Sequence, residues 1–136
     1  MSQSPEARFQ KQFMLWCGKN DYLCFHANVG MFFTKRKIIS GATPSIDIWT
    51  NEATGEQTCF TRCSTGLPVG FSDLIVIGRN GEIAFVETKA KGNYPTQEQR
   101  QFIRVLRERG HRAGVAYDME QAISIVKGTG LGYNFR

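Results

Sequence analysis

Residues 70–91 of the chain, GFSDLIVIGRNGEIAFVETKAK, decide the fold. Residues 73–78 and 82–88 form two short runs rich in β-branched and aromatic side chains, and the Asn80-Gly81 pair between them is typical of a tight turn. The stretch therefore predicts two antiparallel strands joined by a hairpin, with acidic residues at the far ends of both strands.

The length of the hairpin loop determines which residues face each other. Glu87 and Lys89 share one face of the second strand, because side chains alternate along a strand. A two-residue loop would place Asp73 opposite Thr88, with its carboxylate pointing away from Glu87. A three-residue loop, residues 79–81, closed by a glycine in the left-handed conformation, would place Asp73 directly opposite Glu87. We favour the second register, in which opposed carboxylates converge with a lysine, as they do where Mg²⁺ is held beside a phosphate.

Asp73, followed by Glu87-Thr88-Lys89, resembles the D…(D/E)-x-K signature of the restriction-endonuclease-like, or PD-(D/E)XK, nucleases. Within that superfamily the chain resembles the VRR-NUC domain, which occurs in standalone phage and bacterial nucleases and at the C-terminus of the Fanconi-associated nuclease. Ser72 departs from the family pattern, which usually has proline before the aspartate. Further motifs come in the family's order: Glu6-x-x-x-Gln10, residues 25–30, residues 66–73 and residues 96–99.

The resemblance implies an α/β fold, the restriction-endonuclease-like sandwich, in which helices flank a central mixed β-sheet. The order of elements agrees, since the sequence predicts a helix, a strand, the hairpin, a helix, a strand and a helix. The helix after the hairpin permits a right-handed crossover and a parallel strand pair. With 136 residues the chain is long enough for one core, so we expect a single domain over residues 1–136.

Residues 31–64 are longer than the family minimum, and the resemblance does not account for them. Inside this segment, residues 46–49 and 58–61 flank a turn-like stretch and predict an additional β-hairpin. A DNA-contacting wing, a dimer arm and a structural cover are all compatible with such a hairpin.

The resemblance also implies roles for residues at the candidate site. Asp73, Glu87 and the Thr88 carbonyl would hold Mg²⁺ or Mn²⁺, and Glu6 in the first helix would complete the coordination, directly or through water. Lys89 would orient the attacking water or stabilise charge that builds on the phosphate. A glutamine in the second helix would help to position them. The candidate catalytic residues are Asp73, Glu87, Lys89, Gln99 and Glu6.

Two of these residues have an alternative structural role. Glu6 lies in the first turn of a helix that begins after Ser4, where a carboxylate stabilises the helix dipole by roughly 0.3 to 1 kcal/mol. Gln99 stands three residues after Thr96, which is the spacing of a capping box in which the glutamine bonds back to the cap. We favour the active-site role for Gln99, while for Glu6 both roles stay open.

The net charge of +5 suits a polyanionic partner. Contacts with a phosphate backbone are predicted for three groups of basic residues. One group lies beside phenylalanines, one lies in the loop after the hairpin, and one follows a ridge of the second helix. Solvated turns and helix faces explain the same residues. The candidate nucleic-acid-binding residues are Lys35, Arg36, Lys37, Lys91, Arg100 and Arg104, and Arg107 continues the helical ridge.

Four cysteines raise the question of a structural zinc ion. Cys59 and Cys63 are separated by three residues, a spacing that zinc sites use, whereas Cys17 and Cys24 do not match one. Cys17 is expected on the apolar face of the first helix, where a thiol behaves as a small hydrophobe. Reduced, unligated thiols are the default for a cytosolic chain.

The sequence therefore predicts a metal-dependent DNA endonuclease, structure-selective in the manner of a Holliday-junction resolvase. Because so small a chain has one candidate site, cutting two strands requires two copies, so we expect a homodimer acting on branched DNA. A catalytically silent DNA-binding or structural protein with the same fold, and a flap or nicking nuclease, are the alternatives. No apolar run approaches the ~20 residues of a membrane span. We therefore expect no membrane partner, no small-molecule cofactor and a cytoplasmic location, in the host cell if the chain is phage-encoded.

Overall fold

A computed structural model describes residues 3–27, 31–37, 48–50, 53–55, 57–64 and 66–136, and in the strands at 31–37, 48–50 and 57–64 it describes the backbone alone. The chain divides into two compact units, one comprising Met1–Asn28 with Val69–Arg136 and the other comprising Val29–Pro68. The second unit contains the additional segment noted in the sequence. The single domain expected over residues 1–136 stays a prediction.

Three helices and seven strands are formed in the described residues. In chain order they are α1 (Pro5–Lys19), β1 (Leu23–His26), β2 (Met31–Lys37), β3 (Ile48–Thr50), β4 (Gln57–Ser64), β5 (Leu74–Ile77), β6 (Ile83–Thr88), α2 (Gln97–Glu108), β7 (Arg112–Ala116) and α3 (Met119–Lys127). None of these helices has the length and apolar character needed to cross a membrane.

The first unit is built on a four-stranded sheet with the order β1-β5-β6-β7. Neighbouring strands are antiparallel, except that β6 and β7 run parallel. Buried residues of α1 and α3 pack in one cluster with Val86 of β6, and buried residues of α2 pack in another with Phe85. Because adjacent strand residues point to opposite faces, these clusters cover the two faces of the sheet. The predicted α/β sandwich with a mixed sheet is confirmed.

The hairpin has the three-residue loop favoured from the sequence. Leu74 lies opposite Val86, and the Gly78 N–H donates to the Glu82 carbonyl at 2.8 Å. Gly81 closes the loop with φ of +87°, in the left-handed region that glycine adopts without steric cost. The register extends to Asp73 opposite Glu87, so this prediction is confirmed.

The helices begin where the sequence indicates. The side chains of Ser4 and Asp118 accept the N–H groups of Ala7 and Gln121, at 3.1 and 2.8 Å, and so cap α1 and α3. Ile123 of α3 is only partly buried. The buried face of α3 consists of Ala122, Ile125 and Val126.

The second unit is a three-stranded sheet with the order β2-β4-β3. The antiparallel pair of β3 and β4 confirms the additional hairpin. The sequence does not predict strand β2, because the basic residues 35–37 at its end are typical of a charged turn. Antiparallel pairing with β4 along the whole length of β2 overrides that local composition.

The C-terminal tail follows β7 instead of leaving the sheet. Gly132 forms a parallel bridge with Val115, and the N–H of Tyr133 donates to the Val115 carbonyl at 2.7 Å. The guanidinium of Arg107 donates to the carbonyls of Ala113 and Leu131, at 2.8 and 3.0 Å, and so links α2 to both segments. The glycine-rich segment is therefore a packed element of the first unit.

We expect Gly132→Ala to destabilise the protein more than Gly110→Ala. Both glycines have positive φ, +76° and +85°, so alanine costs about 1 kcal/mol of backbone strain at either position. A Cβ at Gly132 would also collide with the Val115 carbonyl and Ile125, whereas one at Gly110 meets nothing. The collision adds about 1 to 3 kcal/mol. Chemical denaturation of both variants measures the difference, and equal losses would contradict the close backbone approach.

Candidate active site

Two acidic residues are bound to each other's strands at the end of the β5–β6 hairpin. Oε2 of Glu87 accepts the backbone N–H of Asp73 at 3.0 Å. In return, Oδ2 of Asp73 accepts the backbone N–H of Thr88 at 3.1 Å and its hydroxyl at 2.9 Å. The confirmed register makes this exchange possible, because it places Asp73 directly across from Glu87. Each carboxylate is thereby oriented by the strand that carries the other.

Burial gives Glu87 unusual acid–base behaviour. Its side chain is 1% exposed, and this desolvation, together with the negative charge of Asp73, raises the Glu87 pKa from 4.5 to about 8. Lys89 opposes the shift, since its Nζ lies 3.5 Å from Oε1 of Glu87. One nearby ammonium does not offset the two carboxylates, so the site favours a further positive charge or a bound proton.

Gln99 completes the capping box and also contacts Glu87. Its Oε1 accepts the backbone N–H of Thr96 at 2.9 Å, while its own N–H donates to Oγ1 of Thr96 at 3.2 Å, which completes the capping box. Its Nε2 donates to Oε1 of Glu87 at 2.8 Å. The oxygen of the amide group caps the start of the helix, and its nitrogen binds the Glu87 carboxylate. These contacts fix the first turn of α2 to the site.

Helix α1 approaches the same carboxylates from the other face of the sheet. The pKa of Glu6 is raised by burial and by the charge of Asp73, and the charge of Lys89 opposes the rise. Nε2 of Gln10 donates to Oγ1 of Thr88 at 2.7 Å, and that hydroxyl donates to Asp73. Sequence reasoning gave Gln10 no role at the site, although its four-residue spacing from Glu6 places both on one side of the helix.

Ser72 lies beside the site and is almost completely buried. Its hydroxyl has no hydrogen-bond partner in the part of the chain that the structure describes. The family that the sequence resembles usually has proline here, which carries no hydroxyl to satisfy. Ser72 therefore adds a desolvation cost next to Asp73 without orienting it.

The structure brings Asp73, Glu87, Thr88, Lys89 and Gln99 together in one site, and the charges of Asp73 and Lys89 act on Glu6. Hydrogen bonds and ion pairs described above link none of Lys91, Arg100 and Arg104 to these residues. Lys91 is exposed. The guanidinium of Arg100 donates to the Pro95 carbonyl, and that of Arg104 lies 5.4 Å from the ring centre of Phe135. The side chains of Lys35, Arg36 and Lys37 fall outside the described residues, as do those of Cys59 and Cys63, the candidate zinc ligands.

The chemistry available here is that of hard oxygen ligands beside one ammonium. Carboxylate and carbonyl oxygens are the donors that Mg²⁺ and Mn²⁺ prefer. Over the described ranges, no three His, Cys, Asp or Glu side chains are grouped as a complete metal cage. A divalent ion held by Asp73 and Glu87 would therefore need oxygen ligands from the backbone, from water or from a substrate phosphate. Such an open coordination sphere suits catalysis.

Comparison with known proteins gives one family and one solved structure. Residues 51–119, about half of the chain, match the VRR-NUC domain family. A solved structure described as a VRR-NUC domain is 21% identical and superposes with a TM-score of 0.53, over 92% of this chain and 97% of its own length, which shows a common fold. No curated protein matches the chain.

The family match begins inside the additional segment. It starts at residue 51, so residues 51–64 lie within the family's part of the chain. It contains Asp73, Glu87 and Gln99 and ends at Met119. Helix α1 precedes it, so the family match does not include Glu6.

Proposed function

Because the chain belongs to the VRR-NUC domain family, we propose that it is a metal-dependent endonuclease that hydrolyses DNA phosphodiesters. The family belongs to the PD-(D/E)XK superfamily, and its domain implies a nuclease-type function with DNA as the substrate. The observation that carries the proposal is the hairpin register, because its continuation by one residue sets Asp73 across from Glu87, which stands two residues before Lys89.

The donor set fits a divalent metal ion, as is typical of nuclease domains of this kind. Asp73, Glu87 and the Thr88 carbonyl would hold Mg²⁺ or Mn²⁺, with Glu6 in the outer coordination. The raised pKa of Glu87 supports this choice, since two carboxylates so close together favour a cation between them. When bound, the ion would neutralise charge on the phosphate and lower the pKa of a water molecule.

The other residues of the site supply a positive charge and orient the two carboxylates. Lys89 supplies an ammonium that can orient the attacking water or bind a phosphate oxygen as negative charge builds there. Gln99 fixes one oxygen of Glu87, and the backbone N–H of Asp73 fixes the other. Gln10 orients the Thr88 hydroxyl, which in turn orients Asp73. Both carboxylates are thus preorganised from the two faces of the sheet.

Cleavage of labelled DNA tests the proposal directly. We expect linear duplex, flapped or four-way DNA to be cut in the presence of Mg²⁺ or Mn²⁺ and to stay intact when a chelator replaces the metal. Calorimetry should detect Mg²⁺ binding to the protein or to its DNA complex. If no metal binds and no DNA is cut, the chain is a DNA-binding or structural protein that retains the nuclease fold.

We further propose that the protein acts as a homodimer on branched DNA and makes paired nicks related by the two-fold axis. One site per chain supports this proposal, since two strands require two sites. Light scattering at micromolar concentration should give the mass of a dimer, and a four-way junction should be cut faster than linear duplex. A monomer without junction preference would indicate a flap or nicking nuclease instead.

A further inference from the structure

An open cleft of about 610 Å³ lies in the first unit, apart from the carboxylates. Its volume falls within the range of small-ligand sites, roughly 300 to 1,000 Å³. Three tyrosines, Tyr94, Tyr117 and Tyr133, line it together with Lys91 and Gln121. Catalysis as described above uses none of these residues, so the cleft requires a separate explanation.

The cleft begins where the catalytic strand ends. Strands β6 and β7 are parallel, and the N–H of Lys89 donates to the Ala116 carbonyl at 3.0 Å just beyond their paired residues. Lys91 follows Lys89 by two positions, and Tyr117 follows Ala116 directly. When a phosphate of a DNA strand is bound at Lys89, a neighbouring nucleotide of that strand can therefore reach the cleft.

The tyrosine rings are arranged to offer an aromatic face. Tyr133 packs edge-on against both Tyr94 and Tyr117, with ring centres 6.2 and 4.9 Å apart. Tyr94 is 49% exposed, and the Arg100 guanidinium lies over its ring, 5.2 Å from the ring centre. An exposed ring backed by a cation and braced by a second ring is a suitable surface for stacking a nucleobase.

Polar groups around the rings complement the remaining parts of a nucleotide. Oε1 of Gln121 accepts the backbone N–H of Tyr117 at 2.7 Å, which fixes the amide group and leaves its NH₂ able to donate to a base. Lys91 is exposed at the mouth of the cleft and can bind a phosphate.

We propose that this cleft binds one unpaired nucleotide of the DNA substrate, with its base stacked on Tyr94 and its phosphate beside Lys91. The inference rests on the proposed nuclease function, which it makes more specific. A base within a duplex is stacked between its neighbours and cannot offer its face to a side chain. The cleft therefore selects DNA with an end, a flap or an unpaired position at a branch, next to the bond to be cut.

Binding measurements without metal test this inference separately from cleavage. The probes are a short single-stranded oligonucleotide carrying a fluorescent purine, the same sequence as duplex, and free deoxyadenosine monophosphate, all in chelator. We expect Tyr94→Ala to weaken binding of the single strand roughly 5- to 150-fold and to change duplex binding little. Tyr94→Phe, which keeps the ring, should bind as the parent does. Leu15→Ala, an equally exposed truncation on α1, is the matched control.

A second variant examines the phosphate contact. Lys91→Gln should lower the slope of log Kd against log salt by roughly one for the single strand. Unchanged single-strand affinity in Tyr94→Ala, or an equal loss on duplex, would overturn the proposal. Free mononucleotide bound as tightly as the oligonucleotide would also overturn it, in favour of a free-nucleotide site. A parent protein that binds the single strand through Tyr94 yet never cuts DNA with Mg²⁺ would refute the nuclease proposal and leave the cleft assignment intact.

Discussion

Replacing Lys89 with alanine is expected to slow DNA cleavage roughly 100- to 1,000-fold or more at saturating Mg²⁺. Nζ of Lys89 lies 3.5 Å from Glu87, and the side chain is largely buried, so its charge is weakly screened by solvent. No other ammonium or guanidinium among the described residues contacts Glu87. The variant therefore loses the cation that would stabilise charge on the phosphate.

Asp73→Asn and Glu87→Gln should cause losses of the same order, and the losses should not add. In the proposed function the three residues act on one phosphate as a unit, so a double variant should be little slower than either single variant. DNA binding should largely survive, because binding depends on contacts outside the site. Single-turnover cleavage and DNA affinity should be measured for the same preparations.

Lys11→Ala is the matched control for Lys89→Ala, since Lys11 is an exposed lysine of α1. It removes the same charge from the protein and should leave cleavage near the parent rate. Purified Lys89→Ala that cuts DNA at the parent rate with Mg²⁺ present would show that the site has been assigned to the wrong residues.

The second large effect is on folding stability. Here the substitution is expected to cause a gain, whereas it causes a loss of cleavage activity. We expect Glu87→Gln to become more stable than the metal-free parent as pH rises. In the folded protein the Glu87 pKa is raised from 4.5 to about 8. Below the lower value, Glu87 is protonated in both folded and unfolded chains and resembles glutamine. Above the higher value, the folded parent must bury a charge that the variant lacks.

The stability of the parent relative to Glu87→Gln is therefore lost as pH increases through this window, at about 1.4 kcal/mol for each unit of pKa shift. Chemical denaturation of both proteins in chelator, from about pH 4 to about pH 9, should give a difference that grows by a few kcal/mol. Measuring the difference cancels the titration of the other groups. Glu108→Gln, at an exposed position of α2, is the matched control for removing a carboxylate.

Mg²⁺ should reverse this difference in stability between the parent and Glu87→Gln. A ligand that binds only the folded state stabilises it in proportion to the logarithm of its concentration above Kd. Mg²⁺ should therefore stabilise the parent above neutral pH and have little effect on Glu87→Gln. A difference between the two proteins that is independent of both pH and Mg²⁺ would mean that Glu87 is not held as a buried, metal-binding carboxylate.

Local physics predicts the hairpin from the sequence, whereas its register depends on the length of the loop. Asn80-Gly81 determines the turn, and the period of two along the strands then fixes which residues share a face. Glu87 and Lys89 follow from that alternation. Asp73 follows once the loop is three residues long, as it is.

Contacts between distant segments are less accessible to sequence reasoning. The hydrogen bond from Gln10 to Thr88 joins residues 78 positions apart, and helical spacing indicates only the side of α1 on which Gln10 lies. Arg107 shows the same limit. Its spacing from Arg100 predicts a ridge facing a phosphate backbone, yet its guanidinium binds the carbonyls of Ala113 and Leu131. Periodicity gives a direction, whereas the partner depends on where other segments pack.

Gln99 illustrates a different limit. The capping box and the contact with Glu87 would exclude each other only if the Gln99 side chain could form a single hydrogen bond. Its oxygen accepts from Thr96 while its nitrogen donates to Glu87, so both are satisfied. The same fact explains how the start of α2 is coupled to the site: loss of the cap would release Glu87 as well.

The path of the C-terminal tail bears on self-association. Strand β7 is the last strand of its sheet, and a strand in that position ordinarily exposes unpaired N–H and C=O groups that can recruit a strand of another molecule. Gly132 and Tyr133 occupy part of this edge by pairing with Val115. Detachment of the tail alone, without unfolding of the core, would expose it. Aggregation from this edge should therefore follow local opening of the last few residues rather than the global stability of the protein.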